Sequence, residues 1–130
     1  MSDNKKYSVL QVLPHLSSGG LVSGAIEISE ALVKNNFNSF VLSEGGRRAR
    51  EIERTGGTLL NLNVGSKNPF IIYKNIFRLL RIIKKYDIDI IHARSRAPAW
   101  SSYYAAKKAS IPFVTTFHGT YSVQNKIKHR

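Results

Sequence analysis

Small, polar and cationic residues follow each of five short apolar runs in this sequence. These segments are His15-Leu16-Ser17-Ser18-Gly19-Gly20, Glu44-Gly45-Gly46-Arg47-Arg48, Gly65-Ser66-Lys67-Asn68, Arg94-Ser95-Arg96 and His118-Gly119-Thr120. Hydroxyls, guanidiniums, imidazoles and glycine backbone are groups that bind sugar hydroxyls and phosphates. If the apolar runs are parallel strands, all of these segments lie at the sheet edge where such sheets bind ligands. The sequence therefore predicts a cleft for a hydroxylated or phosphorylated ligand.

Two of these residues, Gly19 and Gly20, precede a helical run. Glycines between a strand and a helix let the backbone approach an anion at the helix N-terminus, although a simple tight turn is an equal alternative. The order Gly19, Gly20, Gly24 does not match the dinucleotide fingerprint G-x-G-x-x-G. Glu44 nevertheless lies about 20 residues on, where a ribose-binding carboxylate would be. A small nucleotide-binding module therefore remains an alternative.

Arg94 and Arg96 flank Ser95 just before another helical run. Guanidiniums in this position can bind a phosphate or a carboxylate with two hydrogen bonds, and two solvated surface arginines are the alternative. We favour Arg94 because it lies nearer the end of the preceding strand. His92 lies inside that strand, and we interpret it as a hydrogen-bonded core residue.

His118 lies at the end of the last apolar run and is followed by Gly119 and Thr120. A histidine at a strand end can exchange hydrogen bonds with a ligand and titrates near neutral pH. An ordinary loop histidine is the alternative. The position of His118 at the predicted ligand-binding edge makes it the candidate catalytic residue.

The elements that must position these residues alternate along the chain. We predict strands at 7–14, 39–43, 58–64, 88–94 and 112–117, and helices at 21–36, 47–57, 68–86 and 97–110. Such alternation predicts an α/β fold, with a doubly wound parallel sheet of about five strands and helices on both faces. The 130 residues are enough for a single domain.

The helix predicted at 68–86 carries a basic stripe: Lys74, Arg78, Arg81 and Lys85 are spaced at i, i+4, i+7 and i+11. The whole chain has a net charge of +12, which favours anionic partners. The helix could pack its apolar side on the sheet and solvate the charges, or it could contact an anionic membrane. A basic adaptor for membranes or nucleic acid is a further alternative. Nucleic acid is disfavoured, since no recognition motif is present.

Other classes of function lack support in the sequence. The chain has no cysteine, no metal-ligand spacing and no pair of nucleophile and base. We therefore expect no metal site. No apolar run approaches the ~18 residues of a membrane span, and we expect a soluble cytoplasmic protein.

Three segments in order, "VLQVLPHLSSGG", "DIIHARSRAPAW" and "PFVTTFHGTY", resemble the N-terminal domain of family 4 glycosyltransferases of the GT-B fold. The resemblance extends from about Tyr7 to Tyr121. It implies a Rossmann-like domain that binds mainly the acceptor, facing a second domain that binds a nucleotide-sugar donor. Members are retaining enzymes, and many act at the inner membrane face on lipid-linked or lipopolysaccharide acceptors.

The resemblance also implies roles for individual residues. Gly19 and Gly20 would lie near the donor phosphates, and His118 would face the transferred sugar. Arg94 and Ser95 would line the acceptor side, to which we also assign Gly119 and Thr120. The substrates would be a nucleotide-sugar and a glycan or lipid-linked acceptor, and neither a metal nor another cofactor would be needed.

The sequence departs from the family pattern in two ways. Val22 stands where many members have the carboxylate of "GGxE". The chain is also much shorter than a two-domain member, and we expect the C-terminal donor-binding domain to be absent. We therefore expect 1–130 to be inactive alone, or to work with a separate chain that carries that domain. We also expect the exposed domain interface to promote oligomerisation or to lower the solubility of the chain.

Overall fold

The strands and helices follow the predicted order in a computed structural model that describes residues 6–17 and 19–116. The strands are β1 Ser8–Val12, β2 Asn38–Ser43, β3 Thr58–Asn61, β4 Ile90–Arg94 and β5 Phe113–Thr116. The helices are α1 Gly20–Lys34, α2 Ala49–Arg54, α3 Pro69–Tyr86 and α4 Arg96–Ala109. Each predicted element is present. The predicted end of the last strand, Phe117, lies outside the described residues.

All strand pairs in the sheet are parallel, and the strand order is β3-β2-β1-β4-β5. The chain winds outward from β1 to β3, then returns to place β4 on the other side of β1. Val12 of β1 lies beside Leu42 of β2 and Ala93 of β4, so the carboxyl ends of the three strands are level. The order reverses between β1 and β4, and the loops after these two strands therefore frame the crevice where such sheets bind ligands.

Helices cover both faces of the sheet because the strand side chains alternate between two apolar clusters. Leu10 and Val12 belong to the cluster that includes Leu79 of α3 and Ala105 of α4. On the opposite face, a second cluster is formed by Leu13, Leu16, Val22, Ala25, Val41 and Ile52, from the β1 and β2 segments and from α1 and α2. The prediction of a doubly wound α/β domain is confirmed.

Helix α1 packs on the sheet through a face that includes a polar residue. The buried residues of α1 are Val22, Ala25 and Ser29. Ser29 is buried because its hydroxyl bonds those of Ser39 and Thr55, each at 2.7 Å. A buried hydroxyl cluster of this kind cannot be recognised from apolar periodicity.

The loops after β1 and β2 are joined by main-chain hydrogen bonds. Leu16 N donates to Gly45 O at 2.7 Å, and Arg48 N donates to Leu16 O at 2.8 Å. Gly46 lies between these contacts with φ 149°, where a Cβ would be 2.5 Å from Leu16 O and 2.6 Å from Ser17 N. Both the dihedral angle and the space therefore require glycine at position 46.

Gly46→Ala tests how strongly this joint supports the fold. We expect the free energy of unfolding in urea to fall by about 3 kcal/mol, because strain and overlap with backbone add. Gly45→Ala is the matched control: Gly45 also has positive φ, 101°, but the nearest atom to a Cβ there is Asn61 Nδ2 at 3.9 Å. Strain alone should cost about 1 kcal/mol at this position. Equal losses in the two variants would contradict the close approach at Gly46.

Candidate functional site

The β1–α1 loop presents backbone rather than side chains at the crevice. Gly19 is the residue before α1 and has φ 100° and ψ 173°, a combination that is essentially restricted to glycine. A Cβ on Gly19 would meet no described atom within 4 Å. Gly20 is the first residue of the helix. This geometry suits an approaching phosphate and equally suits a turn, so the role of Gly19 and Gly20 stays a prediction.

Arg94, the last residue of β4, extends across the sheet towards α1. Its Nε donates to Gln11 Oε1 at 2.6 Å, and its Nη2 donates to Gly24 O at 3.5 Å. Gln11 in turn donates from Nε2 to Ala25 O at 3.1 Å. Arg94 is thus connected to the central strand β1 and to the second turn of α1. It lies on the face of the sheet that α1 covers.

The charge of Arg94 has no carboxylate partner among residues 6–17 and 19–116. The side chain is half-buried, and burial lowers its pKa, although a guanidinium remains protonated at neutral pH. A partly desolvated cation without a counter-ion costs free energy. The arrangement can recover this cost by binding an anionic group, and Arg94 is the strongest anion-binding candidate in the crevice.

Ser95 follows Arg94 and precedes α4 with φ 141° and ψ 159°, a conformation that glycine favours. Non-glycine residues in such regions store about 1–3 kcal/mol of strain, and they cluster where ligands bind. The Ser95 hydroxyl makes no capping hydrogen bond within the described part of the chain. Its position beside Arg94 agrees with a shared role in ligand binding, which the structure leaves as a prediction.

His92 shares a sheet face with Gln11 and Arg94. Its Nε2 lies 3.1 Å from Thr116 Oγ1, and its backbone is in register with Gln11. The expected hydrogen bond is therefore present, but the side chain is half-buried rather than part of the core. Burial, and to a smaller extent the charge of Arg94, lowers the pKa of His92 to about 4. The imidazole is neutral at pH 7, and its Nε2 donates to or accepts from Thr116 Oγ1 according to its tautomer.

This shift of the His92 pKa predicts a pH-dependent stability. The folded chain binds the imidazole proton with a pKa of about 4, against an ordinary value of 6.5. Between these values the unfolded chain holds more protons, so stability rises with pH and falls on acidification through this window. We expect the Tm to drop between pH 7 and pH 4.5 by circular dichroism. His92→Gln should flatten that slope, and parallel curves for the two proteins would contradict the shift.

The predicted basic stripe lies on the outer face of α3. Lys74, Arg78, Arg81 and Lys85 are all exposed, while the opposite side of the helix is packed on the sheet and α4. The buried residues of α3 are Asn75, Ile76, Leu79 and Ile83. The packing of this helix is therefore confirmed. The stripe lies on the α3–α4 side of the sheet, and Arg94 packs against α1 on the other side.

Aromatic residues adjoin the stripe, and the sequence analysis missed them. Phe70, Tyr73 and Phe77 are 79%, 63% and 43% exposed. Tyr73 and Phe77 contact each other edge to face, with ring centroids 5.2 Å apart. A shallow cavity of about 360 Å³ is lined by Tyr73, Lys74, Phe77, Arg78 and Arg81. The sequence contained a signal for this surface, the i, i+3, i+7 spacing of the three aromatic residues. Tyr73 and Phe77 directly precede Lys74 and Arg78 of the basic stripe.

The remaining predicted residues are His118, Gly119, Thr120 and Glu44. His118, Gly119 and Thr120 lie outside the described residues, and their roles stay predictions. Glu44 is exposed after β2, as the nucleotide-binding alternative requires.

Within 6–17 and 19–116, His, Asp and Glu do not form a group of three that could hold a metal ion. In the same ranges, no helix combines the length and apolarity needed to cross a bilayer.

The sequence profile of Glycosyltransferase Family 4 matches residues 18–130. The chain belongs to this family. The glycosyltransferase of Rickettsia africae ESF-5 is 45% identical to it, with a TM-score of 0.78 over 87% of this chain and 30% of that chain. No curated protein matches. The predicted family and its Rossmann-like GT-B fold are confirmed.

More distant solved structures share the fold. MurG of Acinetobacter baumannii is 18% identical, with a TM-score of 0.68 over 85% of this chain and 35% of that chain. The UDP-GlcNAc 2-epimerase of Neisseria meningitidis, solved with UDP-GlcNAc bound, is 17% identical, with a TM-score of 0.55 over 83% of this chain and 31% of that chain. The family 4 chain therefore spans about a third of the length of the solved structures it matches.

Proposed function

We propose that this family 4 domain forms the acceptor side of a sugar-transfer site. The reaction would move a sugar from a nucleotide-sugar to a hydroxyl of a glycan or lipid-linked acceptor of the cell envelope. The supporting observation is the half-buried guanidinium of Arg94, which has no carboxylate partner among the described residues and borders the crevice at the reversal of strand order. It is suited to an anionic acceptor group such as a phosphate.

The proposal assigns a separate task to each part of the crevice. Arg94 binds the anionic group of the acceptor, and the hydroxyl of Ser95 hydrogen-bonds a neighbouring sugar hydroxyl. The backbone at Gly19 and Gly20 lies near the donor phosphates. His118, with Gly119 and Thr120, contacts the sugar being transferred. The nucleotide-sugar is a co-substrate, and the proposal requires no cofactor or metal.

The 130 residues taken alone should bind an acceptor without transferring sugar to it. Transfer requires both reactants in one closed cleft, and the leaving nucleotide diphosphate must be stabilised by groups directed at its phosphates. We propose that a donor-binding domain facing this one supplies those groups. Mixing the 130 residues with a nucleotide-sugar and an acceptor should therefore give binding but no product.

Arg94→Gln tests the acceptor side directly. NMR titration of the labelled chain with glucose 1-phosphate should give a dissociation constant at least about tenfold higher in the variant, because a charged hydrogen bond contributes about 1.5–3 kcal/mol. Unphosphorylated glucose should bind weakly to both proteins. Arg47→Gln is the control, since it removes one exposed cation from the neighbouring β2–α2 loop. Equal weakening by both substitutions would show that net charge alone attracts the ligand.

We propose in addition that α3 lies on the surface of an anionic membrane, so that a cytoplasmic enzyme meets a lipid-linked acceptor. The exposed aromatic residues Phe70, Tyr73 and Phe77 adjoin the basic stripe, and α3 contains no acidic residue. Exposed aromatic rings beside a row of cations suit the boundary between lipid headgroups and acyl chains. This combination favours a lipid surface over simple solvation of the charges.

Co-sedimentation with vesicles tests the α3 surface. The chain should bind phosphatidylcholine vesicles that contain phosphatidylglycerol, and bind pure phosphatidylcholine weakly. Arg78→Gln with Arg81→Gln should weaken binding by about thirtyfold, at about 1 kcal/mol for each cation near the surface. Lys107→Gln with Lys108→Gln removes the same charge from the exposed end of α4. If this control pair weakens binding equally, α3 is not the contact surface.

A further inference from the structure

We infer that Gln11 and Gly24 are positioning residues that hold the Arg94 guanidinium in one orientation for ligand binding. The inference rests on the proposed role of Arg94 in the acceptor side. Neither Gln11 nor Gly24 borders the crevice as a ligand-binding group: Gln11 is fully buried in β1, and Gly24 lies within α1. Both act through the contacts they make with Arg94.

Gln11 is a buried amide in the central strand of the sheet, where an apolar side chain would be the ordinary choice. Both ends of the amide are used. Oε1 accepts from Arg94 Nε at 2.6 Å, and Nε2 donates to Ala25 O at 3.1 Å. Turning the amide over would place donor against donor at Arg94 and acceptor against acceptor at Ala25. The second hydrogen bond therefore fixes the direction of the first.

Gly24 provides the space into which the guanidinium packs. A Cβ on Gly24 would be 3.1 Å from Arg94 Nη1 and 3.8 Å from Arg94 Cζ. Glycine inside a helix is less stable than alanine at the same position. Because Gly24 has no side chain, the planar guanidinium of Arg94 can lie against α1. This contact restricts rotation of the guanidinium.

These contacts determine which donors remain for a ligand. The Nε–H is occupied by Gln11, and one Nη2 hydrogen is directed at Gly24 O. Nη1 has no hydrogen-bond partner among the described residues. A phosphate or carboxylate can therefore bind through Nη1, but not through the Nε–H that Gln11 occupies. The orientation of Arg94 thus selects the direction from which the anion approaches.

The first test observes the Arg94 side chain in the free protein. In the ¹⁵N-labelled chain, the Nε–H signal of Arg94 should be displaced from the position of free arginine and should exchange slowly with water. Gln11→Met keeps a similar volume and removes both hydrogen bonds, so the signal should move to the free-arginine position. An Arg94 signal that is unchanged in Gln11→Met would overturn the inference.

The second test separates positioning from stability. Gly24→Ala should keep or raise the Tm, because alanine favours the helix and the displaced atom ends a flexible side chain. The same substitution should weaken glucose 1-phosphate binding by a few fold, and Gln11→Met should weaken it by about tenfold, as expected when a binding group is misplaced. Weaker binding at an undiminished Tm is a result that a purely structural role for Gly24 does not produce.

A double-mutant cycle tests whether Gly24 affects binding only through Arg94. In the Arg94→Gln background, Gly24→Ala should have no further effect on binding, because the two residues act as one unit. Additive effects would overturn the inference. If the unaltered chain binds glucose 1-phosphate independently of Arg94, the proposed acceptor role is wrong. The Nε–H signal would still show whether Gln11 holds the guanidinium.

Discussion

The parallel pairing of β1 with β2 on one side and β4 on the other is the constraint on which the remaining structure depends. It aligns Val12 with Leu42 and Ala93, so the loops that follow these strands emerge at one level. Reversal of the strand order at β1 then separates the loop after β1 from the loop after β4 and leaves the crevice between them. The same pairing places Gln11 beside His92, two residues before β4 ends with Arg94. The register of β1 and β4 therefore determines which side chains meet at the site.

The architecture was predictable because alternating strand and helix patterns leave few topologies for a chain of this size. The contacts of Gly46 and Ser29 are features that such patterns do not predict. The glycine pair after β2 indicated a turn, but the contact of Gly46 with the loop after β1 depends on a meeting of two distant segments. The hydroxyl cluster around Ser29 likewise depends on three separate elements. Apolar periodicity contains no information about either.

The candidate site was predictable to a similar extent. Arg94 stood out because it ends an apolar strand, and that position alone marked it as a ligand-binding candidate. Gln11 and Gly24 had weaker signals: a polar residue within the apolar run "YSVLQVLP", and a glycine inside a helical pattern. Their connection to Arg94 spans 83 residues in one case and 70 in the other. Such pairings follow from the folded topology and cannot be derived from local sequence.

The backbone joint between the loops after β1 and β2 has a consequence for how these loops move. With Leu16 bonded to both Gly45 and Arg48, these two segments form one stiff wall of the crevice. A displacement of either loop must therefore be shared by the other. The amides that join the two loops should lose their protection from hydrogen exchange in one step rather than separately.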